Sequence, residues 1–515
     1  MNRAALLATT CLAALTINLD TTIVNVALPS LARELDADTR DLLWVVDGYN
    51  LAFAALVLAM GSLSDRFGRR PALVLGLAGF SAASGVAALV DSVEALIALR
   101  VVMGVSAALI FPTTLSIIAN AYTERRERAT ALGIWGASVG TGVALGPVSG
   151  GLLLEHFSWH SVFWALVPVG VIAIGMTLAF VPESRDPGVP PLDLPGLVVS
   201  VAALGTLTWT IIEAPEHGWT SVTTLTGFAV ASVLALAFVA IERAAEHPML
   251  DVTLFLDRRF SAAAASVTIA FFALFGFIFL ITQFFQFLRD YSALGTGVRI
   301  LPVAASIAVA SIAGGQLAPR LGTKAVVGTG MLMLGSSFIG VSTIGVDVDY
   351  ATTVVPLMVL MGLGLGLITT PATESIMQVL PPARAGVGSA VNDATRELGG
   401  TLGVAVVGSL FSSLYGARLV EELQGRLDPV TLEAARGSVG FTDALAAQVP
   451  AVTGAMEVAF MDGLSRGSLV VGLLCLLGSA VAWIALPANR YDPLAEGELV
   501  EAGSRGGAAA AGDAA

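Results

Sequence analysis

Charge is scarce in this chain, and the scarcity decides its class. Of 515 residues, 13% are charged and 56% hydrophobic, with a mean hydropathy of +0.83; an ordinary soluble domain carries about twice that charge. A soluble globular fold is excluded, and a polytopic membrane protein remains. Cysteine is nearly absent. Cys11 and Cys475 both sit inside apolar runs, which argues against a disulfide framework and against a thiolate metal site. The four histidines, His156, His160, His217 and His247, fall in polar connections, leaving little for a membrane enzyme to work with. His156 and His160, four apart, are the one pair a metal could use, against a plain solvated loop. The sole lysine, Lys324, stands in RLGTK without the phosphate-loop pattern that an ATP-driven exporter requires. Basic patches are missing too, so nothing invites nucleic acid. Much of the acid behind the net charge of −13 lies in 415–462 and beyond Tyr491, outside the apolar runs.

What is present is apolar length. A spanning helix needs about 20 mostly apolar residues. Such runs recur near 5–31, 43–60, 72–90, 93–118, 129–154, 162–181, 197–212, 223–241, 261–287, 294–317, 325–344, 351–377, 387–414 and 464–486, fourteen in all. The opening MNRAALLATTCLAALTINLD has the basic and apolar parts of a signal peptide. Its apolar run continues through Val24, Val26 and Leu28 with no small-residue cleavage pattern, so it reads as a retained first helix. An even count puts both ends on one side. Arg66, Arg69, Arg70, Arg125, Arg126, Arg128, Arg185, Arg243, Arg258, Arg259, Arg320, Lys324 and Arg384 fall in alternate connections, whereas the opposite short ones hold few basic residues beyond Arg33, Arg40 and Arg289. The positive-inside rule then makes both termini cytoplasmic.

The chain also repeats itself. GSLSDRFGRR at 61–70 returns as GQLAPRLGTK at 315–324, and MGVSAALIFPTTLSI at 103–117 returns as MGLGLGLITTPATESI at 361–376 with one residue inserted. Two matches in the same order imply two homologous halves, the architecture of many secondary transporters, whose substrate site lies between the halves near the midplane. The spans within 197–241 have no counterpart and read as an insertion. The expected organisation is an all-α polytopic membrane protein. A six-helix bundle fills 1–185, two inserted helices with their linkers fill 186–260, and a second six-helix bundle fills 261–486 with an external segment at 415–463. A disordered cytoplasmic tail follows at 487–515.

These residues resemble the major facilitator superfamily, in particular its fourteen-helix drug/proton antiporter family, over nearly the whole chain. GSLSDRFGRR is similar to the family signature after helix 2, ALRVVMGVSAALIFP to the helix 4 motif, GASVGTGVALGPVSGG to the antiporter motif of helix 5, and LDTTIVNVALP to the helix 1 motif of the fourteen-helix branch. WVVDGYNL at 44–51 resembles the branch that exports quaternary ammonium and other lipophilic cations. The resemblance implies the major facilitator fold in a plasma (inner) membrane. It also implies a monomer without cofactor or metal that exchanges protons for a small lipophilic substrate rather than catalysing a reaction.

Each motif has its own physics. Gly61 and Gly68 allow a tight turn and close helix approach, and Asp65 can face the N-terminus of helix 3, which Pro71 would open. Arg66, Arg69 and Arg70 offer partners for acids on the opposite half, making the loop a cytoplasmic gating latch unless they serve only topology. Pro319 replaces Asp65 in the second half, so such a latch is lopsided. In helix 5, Gly136, Gly140, Gly142, Gly146, Gly150 and Gly151 supply small faces and Pro147 a bend. The resemblance makes this a leak-tight seam suited to exchange; generic helix packing fits the spacing equally. Arg100, within the helix 4 run, cannot lose its proton and must find anionic or carbonyl partners. The family ties the matching arginine to proton coupling, and a fixed structural ion pair is the alternative.

Asp20 interrupts the run 5–31 near a membrane centre, where a carboxylate is costly. It is expected to bind or move a cation or proton, against a mere polar contact between helices. At a rise of about 1.5 Å per residue, Asp20 lies roughly 22 Å from the inner end of its helix and Asp47 roughly 6 Å from the outer end of the next. Asp393 and Glu397, four apart in NDATRELGG, share a face of helix 13. Two like charges there do not both ionise easily, so at least one is expected to hold a proton at neutral pH, with Arg396 able to neutralise Asp393. Asp20 and Asp393 are the expected proton carriers with Arg100. Asp47, Glu397 and the more peripheral Glu374 are expected to recognise substrate charge, drug and protons competing for overlapping carboxylates. Phe275, Phe279 and Gln283 recur on one face of helix 9 and, with Asn25, Phe111, Trp135 and Asn392, are candidates for the pocket lining, since aromatic faces attract lipophilic cations. Packing or lipid contact is the alternative.

The expected function is proton-coupled export of lipophilic cationic compounds by alternating access. A proton-coupled uptake symporter would share the two halves and buried acids, and an exporter of an endogenous metabolite or antibiotic the same mechanism; the helix 1 and helix 5 motifs favour export. A receptor or scaffold has no need of four buried carboxylates. The segment 415–462, with the helical stretch ARLVEELQGRLDPVTLEAARG, is expected to cap the outer vestibule or to be an inert connector. The tail ending GGAAAAGDAA is compositionally disordered.

Overall fold

The computed structural model describes residues 2–186, 192–379 and 385–486. Arg384, the tail 487–515 and the side chains of Arg125 and Arg126, on which expectations rested, lie outside the described residues. Fourteen described helices are long and apolar enough to cross a membrane, the number read from the apolar runs. The first six are α1 (Arg3–Glu34), α2 (Thr39–Phe67), α3 (Arg69–Ala87), α4 (Val93–Ala121), α5 (Arg125–His156) and α6 (His160–Phe180). The inserted hairpin is α7 (Leu194–His217) and α8 (Val222–Ala244). The second half holds α9 (Arg258–Gln283), α10 (Ala293–Leu321), α11 (Thr323–Val341), α12 (Val355–Val379) and α13 (Ala385–Leu423), then the short α14 (Pro429–Gly437) and α15 (Val439–Ala446), and finally α16 (Pro450–Ala485). Among the described residues there is no strand.

The repeat seen in the sequence is a repeat of geometry. The same partners pack in both halves: α1 on α5 as α9 on α13, α2 on α4 as α10 on α12, α3 on α6 as α11 on α16. Gly68 ends α2 at φ +124° and Gly322 ends α10 at φ +86°, a left-handed region that glycine enters without steric cost. Asp36 and Asp290, at matching places after the first helix of each half, both take φ near +50°. The close approaches match too. A Cβ at Gly104 would strike the carbonyl of Tyr49 and one at Gly362 that of Val303, while Gly76 abuts the Ser106 carbonyl and Ile110 as Gly330 abuts the Gly364 carbonyl and Ile368. These glycines let backbones meet where lipid offers no hydrophobic drive for association.

Helix starts follow local chemistry. Asp38 and Asp41 form a reciprocal capping box at α2, Ser92 caps α4, and Asp193 caps α7. The α3 helix opens at Arg69, so Pro71 sits third rather than first, still within the turn whose N–H groups lack intrahelical partners. His156 closes α5 and His160 opens α6, so their spacing of four does not put them on one helix face. Both α13 and α16 run past their apolar stretches into the 415–463 segment. There α14 and α15 fold back, with Ser438 donating to the Ala37 carbonyl and Gly440 against Ala32 at the end of α1. We call this the cap end and the opposite one, where α1 begins, the terminal end.

The hairpin α7–α8 lies across the seam between the halves, packing on α2 and on α13. Arg40 of α2 reaches Glu213 at 2.8 Å, and Trp219 donates to Ser413 of α13 at 2.8 Å. Among the described residues, close approaches between the halves occur at the cap end: Gly297 against Pro147, Gly151 against Leu294, Gly408 against Leu43, and Gln286 donating to the Val26 carbonyl at 3.0 Å. Toward the terminal end, Gly133, Gly136 and Gly140 of α5 have open space beside them.

Candidate functional site

Three helices of the first half bring the buried charges together. Arg100 of α4 places Nη1 2.6 Å from Asp20 Oδ2 on α1, donates through Nε to the Val45 carbonyl of α2 at 2.9 Å, and lies 4.3 Å over the Tyr49 ring. Neither Asp20 nor Arg100 is more than 1% exposed. A guanidinium bound in three directions is fixed in a way a lysine could not be, and the partner required by its permanent charge is Asp20. The α1–α2 carboxylates thus differ in kind: Asp20 is compensated by a cation, whereas Asp47, also fully buried, makes no ion pair among the described residues. Asn50, one turn further along α2, is likewise buried and is the polar side chain beside Asp47.

An aromatic series leads from this cluster toward the terminal end. Tyr49 meets Phe53 at 6.1 Å, Phe53 meets Phe111 at 5.7 Å, and Phe111 meets Trp135 at 5.0 Å, with Trp135 Nε1 donating to Thr114. Phe111 and Trp135 were expected in a pocket. Tyr49 and Phe53 were not singled out, although their spacing of four on α2 placed them on one face.

The second half contributes acids on α13. Asp393 is 6% exposed, and Glu397 stands one turn further along the same helix. Arg396 does not neutralise Asp393 by contact; its guanidinium lies 4.5 Å over the Phe271 ring. Asn392 accepts from Thr373 of α12 at 2.8 Å. Glu374 accepts from Gln378, which is itself bonded to Arg259, so it belongs to a polar chain between α9 and α12 at the terminal end.

Asn25, Phe279 and Gln283 sit in the closed cap-end barrier. Phe279 is fully buried against Gly408, and Gln283 and Asn25 each donate to a carbonyl of their own helix while leaving a buried acceptor oxygen unpaired. Phe275 lies lower, against Gly400. Gln286, in the helical turn Phe284–Leu288 that follows α9, ties this end of the second half to α1; its spacing of three from Gln283 continues the same face.

The helix 5 motif divides. Gly142, Gly146 and Gly150 press on Leu15, Thr22 and Ile23 of α1, and Pro147 meets α10, but Gly136 and Gly140 touch nothing within 4 Å. The loop after α2 keeps its partners within its own half. Asp65 bonds Arg69 at 2.6 Å, Arg70 donates to the Leu178 carbonyl, Arg66 lies near the Phe67 ring, and Gly61 abuts Pro112. The stretch after α6 is laced onto this loop by Arg69 N to Ser184 O and Asp186 N to Asp65 O.

A family profile described as Major Facilitator Superfamily matches residues 10–404. The multidrug efflux pump LfrA of Mycolicibacterium smegmatis is 34% identical over 484 residues, covering 93% of this chain and 95% of LfrA. The multidrug resistance protein Stp of Mycobacterium tuberculosis is 36% identical over 435 residues, 84% of this chain and 80% of Stp. Among solved structures, a bacterial homolog of the human lysosomal transporter Spinster, inward-facing and unoccupied, matches with a TM-score of 0.65 at 17% identity, over 95% of this chain and 99% of that one. That likeness carries the fold.

Proposed function

This chain belongs to the Major Facilitator Superfamily, and we propose from that premise that it is a proton-coupled antiporter that exports lipophilic, cationic compounds by alternating access. Relatives named as multidrug efflux and resistance proteins support drug export. The observation that carries the coupling is the contrast between two buried carboxylates of the first half: Asp20 is balanced by Arg100, whereas Asp47 makes no ion pair among the described residues and has the neutral Asn50 side chain as its polar neighbour. A carboxylate buried without a cation pays a large desolvation cost. Asp47 therefore fits the closed barrier as a neutral acid and ionises when opening lets water or a cationic substrate in.

Asp20 and Asp393 keep the proton-carrying roles expected of them, and Asp47 joins them. Glu397 and Glu374 recognise positive charge on the path from the terminal end. Arrival of the drug at one of these carboxylates and departure of its proton are then the same event. The excess of arginine in the terminal-end connections puts that end in the cytoplasm of an inner membrane, with the cap outside. Closed at the cap end, the conformation described here is inward-facing, and Arg69 and Arg70 would have to exchange Asp65 and the Leu178 carbonyl for partners on the second half when the terminal end closes instead.

Purified protein in liposomes with an imposed pH gradient tests the scheme. Asp20→Asn and Asp393→Asn are each expected to lose proton-driven exchange while retaining passive drug binding. Full exchange in both variants overturns it, and inward accumulation of the cation down the proton gradient turns the reading to uptake.

A further inference from the structure

Away from the transport path, two carboxyl groups face each other at the terminal end of the inserted hairpin. Glu242, in the last turn of α8, is 3% exposed. Its Oε2 accepts from the Leu250 N–H at 2.9 Å, and its Oε1 is buried with no hydrogen-bond partner. Asp193 caps α7: its Oδ1 accepts from the Gly196 N–H at 2.9 Å, and its Oδ2 is likewise buried and unpartnered. The two orphan oxygens converge beside Gly196, where a Cβ would lie 2.5 Å from Glu242 Oε1 and 2.7 Å from Asp193 Oδ2. Glycine at 196 is what admits them.

Glu242 Oε1 and Asp193 Oδ2, buried beside one point, have no donor in hydrogen-bonding geometry among the described residues, although the Met249 N–H also lies near Glu242, and a single hydrogen would join them. A second cation is poorly served there, because the spot lies at the N-terminus of α7, the positive end of its dipole. Among the described residues no arginine, lysine or histidine makes an ion pair with either carboxyl. Asp193 is the charged side chain beside Glu242, whose other neighbours there are the backbone N–H groups of Leu250 and Met249. Like charges this close in a buried place do not both ionise.

We propose that Asp193 and Glu242 bind one proton between them, forming a proton site separate from the transport path that clasps α7, α8 and the connection from α8 to α9. With the proton in place, one carboxyl donates to the other and all three segments are tied. Loss of the proton to water leaves two facing carboxylates and loosens the clasp. Its acid–base equilibrium answers to the pH at the terminal end, and the segment it releases leads into the second half.

The sign follows from linkage. A proton held in the folded state and lost on unfolding stabilises at low pH, and the contribution disappears once the pH is high enough to remove it. In Asp193→Asn the amide supplies the missing N–H permanently and still caps α7. The full-length protein in detergent is therefore expected to show a Tm gap to Asp193→Asn that is near zero at pH 5.5 and grows by about 2 °C or more by pH 8.5. Glu242→Gln should give the same gap, and either variant should remove a protonated-carboxyl C=O band from the infrared spectrum. Parallel Tm curves for wild type and both variants, with no such band lost, overturn the proposal. So does a wild-type Tm at fixed pH that rises with added sodium, potassium or magnesium, which would make the pair a cation site. If one variant fails to fold, the other and the infrared band decide.

Discussion

At the scale of residues, the decisive fact is which partner each buried charge found. Replacing Arg100 by leucine removes the only compensation for Asp20 and is expected to cost about 3–5 kcal/mol, read as loss of folded protein on size exclusion or a large fall in Tm. Arg100→Lys is expected not to rescue it, because one ammonium cannot reach Asp20 and the Val45 carbonyl while stacking on Tyr49. Asp20→Asn combined with Arg100→Gln removes both charges and should fold while losing coupled transport; robust proton-driven exchange in that double variant would show the pair to be structural only. Asp20 and Arg100 stand out in the sequence because each is an isolated charge in an apolar run. That they bond each other, leaving Asp47 alone, depends on which faces α1, α2 and α4 turn to one another across 80 residues of chain. No local pattern encodes it.

At the scale of elements, the helix 5 motif and the cap each make a prediction. Gly146 is pressed on Thr22 whereas Gly136 borders open space. Gly146→Val is expected to overpack the α1–α5 contact by about 1–3 kcal/mol and to lower transport, and Gly136→Ala to leave both nearly unchanged. Equal damage from the two would mean that the motif acts through something other than contact. The cap is held to α1 by Gly440 on Ala32 and by Arg33 at 3.5 Å from Asp443. Burial pushes the Asp443 carboxyl above its ordinary range, with Arg33 pulling the other way. An acid raised in this sense binds its proton more tightly when docked, so docking is strongest at mildly acid pH and weakens as pH rises through that group's titration. Hydrogen exchange in α15, corrected for its intrinsic pH dependence, should accelerate with pH in the wild type and lose that extra slope in Asp443→Asn. The helical character of 415–462 is legible in its sequence, but its seating on α1 is not, since the α1–α2 turn it covers is some 400 residues away.

At the scale of the whole molecule, among the described residues the two repeated halves press together at the cap end while α5 has open space beside it toward the other, a shape poised to rock. Leu43→Cys with Gly408→Cys, placed on a Cys11→Ser, Cys475→Ser background, pairs positions that touch between α2 and α13. Oxidation is expected to hold the cap end shut and stop transport, and reduction to restore it; undiminished transport in the oxidised protein would rule out opening at this seam. The sequence by itself determined the membrane class, the fourteen spans, the insertion and the twofold repeat, because hydropathy, span length and glycine placement are properties of neighbouring residues and survive in one dimension. The tertiary structure alone decided that Asp20 answers to Arg100 while Asp47 makes no ion pair with any described residue, that Tyr49 and Phe53 extend the aromatic series, and that the inserted hairpin straddles both halves. Those are choices of partner between distant helices, and they are set by which faces pack together when the bundle closes.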